Sequence, residues 1–102
     1  NTPTPNAASG RPAMRSLSSE QLLAIADECA HIYKVRIRSF GALCACAAVP
    51  GAHLHGVPVY DTAHAAARGL ADTIRALRPL TGANDAFADV AGTTYLRWVE
   101  EA

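Results

Sequence analysis

The sequence predicts a mainly α-helical domain, on the basis of its composition and hydrophobic spacing. Alanine supplies 22 of the 102 residues, whereas Phe, Trp and Tyr together supply six. This composition favours closely packed helices over a sheet sandwich, which is rich in β-branched and aromatic side chains. Three stretches repeat apolar residues at helical spacing. A chain of this length has enough residues for one core and therefore one domain.

Residues 1–13 are predicted to lie outside the folded domain. They include three prolines and one glycine, and almost none of them could fill a core. We expect a disordered tail or a cloning remnant. Met14 is a candidate natural start, and residues 14–102 are predicted to form the domain.

The first helix is predicted from about Ser19 to Tyr33. Ser18 and Gln21 have the spacing of a capping box, in which each side chain bonds the other residue's backbone N–H. The apolar residues that follow at helical spacing are Leu22, Ile25, Ala26, Cys29, Ile32 and Tyr33.

A second helix, deeply buried, is predicted over Phe40–Val49. This stretch carries no charge, and Pro50 and Gly51 end it. Residues 51–60 then alternate and contain Gly, Pro and Val, which is typical of an irregular hairpin or edge strand. Residues 51–60 are termed the flap below.

The third and fourth helices are predicted on either side of a break at Pro79. Asp61 or Thr62 can cap the third helix and Asn84 the fourth, because their short side chains accept bonds from backbone N–H groups. The third helix has an apolar stripe of Ala63, Ala66, Ala67, Leu70, Ile74 and Leu77. The fourth, ending at about Glu100, has one of Phe87, Val90, Ala91, Thr94, Tyr95 and Trp98.

Charge and hydropathy narrow the classes of partner and location. Nine basic residues balance nine acidic ones, so counterion release offers little affinity for a phosphate backbone and we expect no nucleic acid partner. No run approaches the roughly 20 apolar residues of a membrane span, and the N-terminal segment lacks the apolar core of a signal peptide. We therefore expect a cytoplasmic protein with no membrane partner. The three cysteines, Cys29, Cys44 and Cys46, are expected to be reduced thiols.

Four segments carry a family resemblance. They are LSSEQLLAIADE over residues 17–28, RSFGALCACAAVP over residues 38–50, HGVPVYDT over residues 55–62 and RPLTGANDA over residues 78–86. From about Leu17 to Trp98, the chain thereby resembles the death-on-curing (Doc) branch of the Fic fold. The resemblance implies a Fic/Doc-like helical bundle with a short β-hairpin flap. Residues 78–86 stand where that family has His-Pro-Phe-x-Asp-Gly-Asn-Lys-Arg.

The resemblance also implies that the family's group transfer is lost. Its members use the motif's His as a base, its Asp to hold magnesium, and its Gly-Asn turn and final Arg to grip nucleotide phosphates. Arg78, at the His position, stays protonated and cannot accept a proton, and Gly82, at the Asp position, offers no metal ligand. The degenerate motif loop comprises Arg78, Pro79, Leu80, Gly82, Ala83, Asn84, Asp85 and Ala86. We expect no catalytic residue, metal or cofactor there.

The replacements in this loop carry further expectations. Asp85 is expected in the first turn of the fourth helix, where its carboxylate satisfies the helix dipole and repels a phosphate. We hypothesise that Arg78 and Asp85 form an ion pair, which would close the groove where members of the family bind nucleotide. Ala83 is expected to resist the positive φ that a phosphate-binding turn often needs. Pro79 and Asn84, which persist, are interpreted as a turn former and an N-cap.

Two other groups of side chains have both a functional and a structural interpretation. His53 and His55 would point to one side of a strand and could begin a metal site with His64 or a cysteine. We favour polar flap side chains, because nothing fixes further ligands. A loose cationic set comprises Arg36, Arg38, Arg68, Arg75 and Arg78. It could bind a phosphate or an acidic partner, although a solvated face with pairs such as Arg68 to Asp72 is favoured.

The flap is the candidate partner-binding element, through His55, Val57, Pro58, Val59 and Tyr60. In catalytic relatives it clamps a segment of target protein by backbone pairing, which needs edge-strand geometry more than particular side chains. An added strand has to pair around Pro58, which lacks an N–H. The alternative is a flap folded onto its own domain.

The sequence therefore predicts a catalytically degenerate Doc/Fic-fold protein that acts by protein-protein interaction in a toxin-antitoxin-like or regulatory system. Its partner would be an antitoxin-like or regulatory protein. One alternative is a toxin-like phosphoryl or nucleotidyl transferase with a non-standard active site. Another is a structural subunit of a larger assembly.

Overall fold

The computed structural model describes residues 15–101, and the chain there is mainly helical with one antiparallel hairpin, as predicted. The predicted tail over residues 1–13 and the candidate start Met14 lie outside the described residues. The elements, in chain order, are α1 (Ser19–Tyr33), α2 (Phe40–Ala48), a 3₁₀ turn (Val49–Gly51), β1 (His53–Leu54), β2 (Val57–Pro58), α3 (Ala63–Leu77) and α4 (Asn84–Glu101).

Helix α1 begins with the predicted capping box. The Ser18 hydroxyl accepts from the Gln21 N–H at 3.0 Å, and the Gln21 side chain accepts from the Ser18 N–H at 2.8 Å. Leu22, Ala26 and Cys29 are buried, as the predicted stripe requires. Ile32 and Tyr33 are 66% and 48% exposed. The predicted apolar stripe was therefore wrong for the last turn of α1, because no element of residues 15–101 packs over that turn.

Helix α2 is half-buried, and its predicted deep burial was wrong. The Ser39 hydroxyl caps it by accepting from the Ala42 N–H at 3.0 Å. Its nine residues bury Leu43, Cys46 and Ala47 on one face, because a helix this short at the surface contacts its neighbours along one side. The helix ends at Ala48 rather than Val49, since the chain tightens there into the 3₁₀ turn that contains Pro50.

Helices α3 and α4 pack against each other through small residues and form the centre of the core. A Cβ on Gly92 would lie 3.4 Å from the Ala67 carbonyl oxygen and 3.7 Å from the Ala71 Cβ, so the helices approach closely at this point. Val90 and Thr94 are exposed, contrary to the predicted stripe. Close packing instead turns the face of α4 that contains Gly92 towards α3. The buried residues of α4 are Asn84, Phe87, Ala88, Ala91, Gly92 and Tyr95.

Residues 15–18 lie across the ends of α2 and α4. The Leu17 N–H donates to the Ala47 carbonyl at 3.2 Å, and the Tyr95 hydroxyl donates to the Arg15 carbonyl at 2.7 Å. The Arg15 guanidinium lies 4.6 Å from the centre of the Trp98 ring, a cation-π distance. Among residues 15–101, no helix is both long and apolar enough to cross a bilayer.

Candidate functional site

The loop of residues 78–83 connects α3 to α4 and is fixed against the chain between α1 and α2. Ile37 and Leu80 form an isolated antiparallel β-bridge. Beside it, the Arg36 N–H donates to the Thr81 hydroxyl at 2.9 Å, and the Thr81 N–H donates to the Arg36 carbonyl at 2.8 Å. The loop is therefore held by backbone pairing on one side, and Leu80 within it is a buried core residue.

Arg38 satisfies the carbonyl end of α3. Its guanidinium donates to the Leu77 carbonyl at 2.6 Å and to the Arg78 carbonyl at 2.7 Å. The last carbonyls of a helix lack partners within the helix and carry partial negative charge, so a cation stabilises them. Sequence reasoning missed this role, because no local signal ties Arg38 to carbonyls 39 and 40 residues later.

Asn84 ties the loop to itself rather than capping α4. Its amide nitrogen donates to the Leu80 carbonyl at 3.0 Å, and its amide oxygen accepts from the Leu80 N–H at 3.0 Å. The predicted N-cap was wrong because α4 begins at Asn84 itself. The Ala83 carbonyl accepts from the Phe87 N–H at 2.9 Å, so Ala83 precedes the first turn.

Ala83 adopts φ of 58°, so the expectation that it resists a positive φ was wrong. Thr81 and Asn84, which bracket Gly82 and Ala83, are fixed by hydrogen bonds. Such surroundings maintain a conformation that is unfavourable for alanine by about 1 kcal/mol or more. Gly82 has a different requirement. A Cβ there would lie 3.2 Å from a Val35 methyl carbon, so close packing favours glycine.

Asp85 pairs with Arg75, not with Arg78. The Arg75 Nε lies 3.5 Å from the Asp85 carboxylate, and its guanidinium also lies 2.7 Å from Asp89 and 3.5 Å from Asp72. The hypothesised Arg78 pair does not form because Arg78 lies past the end of α3, in the left-handed region at φ of 50°. The Asp72 pair likewise replaces the one predicted with Arg68.

The histidines of the flap and the acidic side chains of residues 15–101 form no metal-binding cluster. Among residues 15–101, no group of three or more His, Cys, Asp or Glu is placed to hold a metal ion. The expected alignment of His53 and His55 along one strand was wrong, since His55 occupies the hairpin turn with φ of 54°. A groove of about 370 Å³ is lined by Tyr60, His64, Ala65, Arg68, Gly69 and Asp72.

The cysteines are free thiols, and two of them are core residues. Cys29 and Cys46 are buried, and burial raises the pKa of both, that of Cys46 to about 11. Cys44 is partly buried, and its sulfur accepts from the Ser19 hydroxyl at 3.2 Å. Because the thiolate is the reactive form of cysteine, Cys29 and Cys46 are poor nucleophiles at neutral pH.

The flap folds into a β-hairpin with a two-residue turn, which consists of His55 and Gly56. Both turn residues have positive φ, 54° and 81°, which is the requirement of a type I′ turn. Leu54 pairs with Val57, and His53 with Pro58. The Val59 N–H also donates to the Ala52 carbonyl at 2.9 Å.

One face of the hairpin is apolar and open. Paired residues share a face, as do residues two apart on a strand, so Leu54, Val57 and Val59 lie on the same side. They are 65%, 58% and 51% exposed. Tyr60, at the base of the flap, is partly buried and packs against the core. The base of the flap therefore folds onto the domain while its tip stays accessible.

Comparisons of the chain with protein families, with characterised proteins and with solved structures find no match.

Proposed function

We propose that this chain is a catalytically degenerate protein-binding domain of the Fic/Doc type, whose flap receives an extended segment of a partner protein. The exposed apolar face of the hairpin carries the proposal. Leu54, Val57 and Val59 are each more than half exposed, although aliphatic side chains gain free energy when they leave water. Burying them against a partner would supply that gain.

The hairpin register indicates which edge the partner segment uses. Hydrogen-bonded and non-hydrogen-bonded pairs alternate along an antiparallel ladder. The bond between Val59 and Ala52 places the next pair, His53 and Pro58, at a non-hydrogen-bonded position. Their backbone groups therefore face outward. Pro58 has no N–H to offer, whereas His53 offers both a donor and an acceptor, so an added strand pairs along β1.

The loop chemistry supports binding without group transfer. At the position of the family's base, Arg78 has no free lone pair for a proton. Gly82 offers no carboxylate where the family holds magnesium. The first turn of α4, which would attract a phosphate, carries Asp85, a carboxylate that Arg75 pairs at 3.5 Å. With the resemblance, these features favour a regulatory or antitoxin-like protein as the partner.

Selection of displayed random peptides on the immobilised domain tests the proposal. We expect enrichment of peptides that alternate apolar and polar residues, as a strand paired along β1 requires. A V57K/V59K double variant should lose these peptides, because two ammonium groups then stand on the apolar face. The control is V90K, which alters a 42% exposed valine on α4 and should keep them.

Two outcomes would contradict the proposal. One is a selection in which the hairpin variant retains the same peptides as the unaltered domain. The other is nucleotide chemistry: saturable binding of Mg-ATP in calorimetry, or transfer of labelled phosphate or nucleotide to a protein hydroxyl. That second result would instead support the toxin-like transferase with a non-standard active site.

A further inference from the structure

The connection between α1 and α2 forms a second surface, independent of the flap. Along residues 34–38 the chain alternates, with Val35 and Ile37 packed against the core and Lys34, Arg36 and Arg38 exposed. Arg78 is also exposed and lies beside this segment, because its carbonyl accepts from the Arg38 guanidinium at 2.7 Å. We infer that Lys34, Arg36, Arg38 and Arg78, termed the basic strip, bind an acidic segment of a partner protein.

The positive charge of the basic strip is not neutralised within the described domain. The ion pairs found among residues 15–101 leave Lys34, Arg36 and Arg78 without a carboxylate. Three aspartates instead surround Arg75. Arg38 is bonded to carbonyl oxygens, which carry no net charge, so it also contributes a full positive charge. The strip thus concentrates four of the nine basic residues of a chain whose formal net charge is zero.

The strip is held rigid, which favours recognition. The bridge between Ile37 and Leu80 and the two bonds between Arg36 and Thr81 fix its backbone. The N–H groups of Arg38 and Ser39 both donate to the Pro79 carbonyl, at 2.7 and 3.1 Å. A backbone that is already ordered loses less conformational entropy when a partner binds.

Exposed apolar side chains flank the strip and suit a protein segment that carries apolar as well as acidic residues. Phe40, 53% exposed, follows Ser39 directly, and Leu77, 39% exposed, supplies one of the carbonyls that Arg38 contacts. An aliphatic side chain such as Leu77 offers no stacking face to a base. It does suit a segment in which acidic residues are interspersed with apolar ones, because such a segment matches both the charge and the apolar flanks.

Two double variants with the same net charge test this inference. R36Q/R78Q removes two side chains of the strip and leaves Arg38 and its structural bonds intact. R68Q/R97Q removes two exposed arginines on α3 and α4. Displayed random peptides are selected on the unaltered domain at low ionic strength. The enriched sequences are then synthesised, and their dissociation constants are measured by fluorescence anisotropy with increasing salt.

We expect enrichment of peptides rich in Asp and Glu with interspersed apolar residues, and binding that weakens as salt rises. R36Q/R78Q should weaken it about tenfold, the size expected from the loss of two exposed ion pairs. R68Q/R97Q should change it by less than about twofold. Circular dichroism of both variants establishes that they are folded.

Three results would overturn the inference: no enrichment of acidic residues, an equal loss of affinity in both variants, or tighter binding of single-stranded RNA than of the peptides. A V57S/V59S variant, which leaves the net charge of the domain unchanged, keeps this test separate from the flap. It should bind the acidic peptides normally whether or not the flap binds a partner strand.

Discussion

The phenol ring of Tyr60 occupies the space that a side chain on Gly69 would fill. A Cβ built on Gly69 would lie 2.8 Å from the Tyr60 Cε1 atom and closer still to the phenol oxygen. Glycine inside a helix is unfavourable by about 0.8–1.0 kcal/mol relative to alanine. The contact that this glycine allows fastens the base of the flap to α3.

We therefore expect G69A to destabilise the domain, although alanine is the better helix former. The added methyl forces the Tyr60 ring out of its site, and the lost packing outweighs the gain in helix propensity. The expected net loss in the free energy of unfolding is about 1 kcal/mol. Urea denaturation followed by circular dichroism measures it.

The background Y60A provides the control, because it removes the ring that the methyl would displace. In that background G69A should stabilise the domain by about 0.8–1.0 kcal/mol, the propensity difference alone. An equal effect of G69A in both backgrounds would show that Tyr60 and Gly69 are not coupled.

Arg38 is expected to stabilise the domain through the end of α3. R38A removes two donors to the Leu77 and Arg78 carbonyls and should lower the free energy of unfolding by about 1–2 kcal/mol. Bonds from a charged donor are worth more than neutral ones, but exposure to water reduces their value. R36A alters an exposed guanidinium in the same segment and should change stability by less than about 0.5 kcal/mol. Equal effects of the two variants in urea denaturation would refute a special role for Arg38.

The stability of the domain is expected to depend on the side-chain amide of Asn84, which both donates to and accepts from the Leu80 backbone. N84D keeps an oxygen for the Leu80 N–H but places a carboxylate against the Leu80 carbonyl in a site that is 4% exposed. Burial and the facing oxygen should raise the pKa of the new carboxyl group in the folded state. At neutral pH we expect a loss of about 2–4 kcal/mol.

The loss in N84D should shrink as the pH falls. A raised pKa in the folded state means that the native form takes up a proton first, and the protonated carboxyl can donate to the Leu80 carbonyl. Stability of N84D relative to the unaltered domain should therefore improve from pH 7 towards pH 4, in parallel urea titrations. A pH-independent difference would mean that the carboxyl group is not held against this carbonyl.

Local sequence signals predicted much of the fold. The capping box at Ser18 and Gln21, the breaks at Pro50 and Pro79 and the apolar spacing of α3 act within one or two turns of chain. They located the four helices and the hairpin to within about two residues. The errors at Ile32, Leu77 and Val90 share one cause. Periodicity identifies an apolar face, but which turns of it are covered depends on neighbouring elements.

The site was harder to predict because its contacts are distant in sequence. The partner of Asp85 is Arg75 because α3 and α4 pack closely enough for their ends to meet, which spacing alone cannot show. Ala83 adopts a positive φ because Asn84 holds the loop from within, an effect of the surroundings that outweighs residue preference. The exposed faces of the flap and of the basic strip likewise depend on what the rest of the chain leaves uncovered.

The buried thiol of Cys46 should make the domain less stable in alkali. Burial raises the Cys46 pKa from its ordinary 9.0 to about 11, so as pH rises the unfolded chain loses this proton before the native state does. The stability that the protonated Cys46 thiol contributes is fully present below about pH 9. It is lost progressively towards pH 11, and the free energy of unfolding falls by up to about 1.4 kcal/mol per pH unit. C46A lacks the proton and should show a shallower fall over this range in urea denaturation, whatever its stability at pH 7. If C46A and the unaltered domain lose stability in parallel, the thiol ionises equally in both states and the burial argument fails.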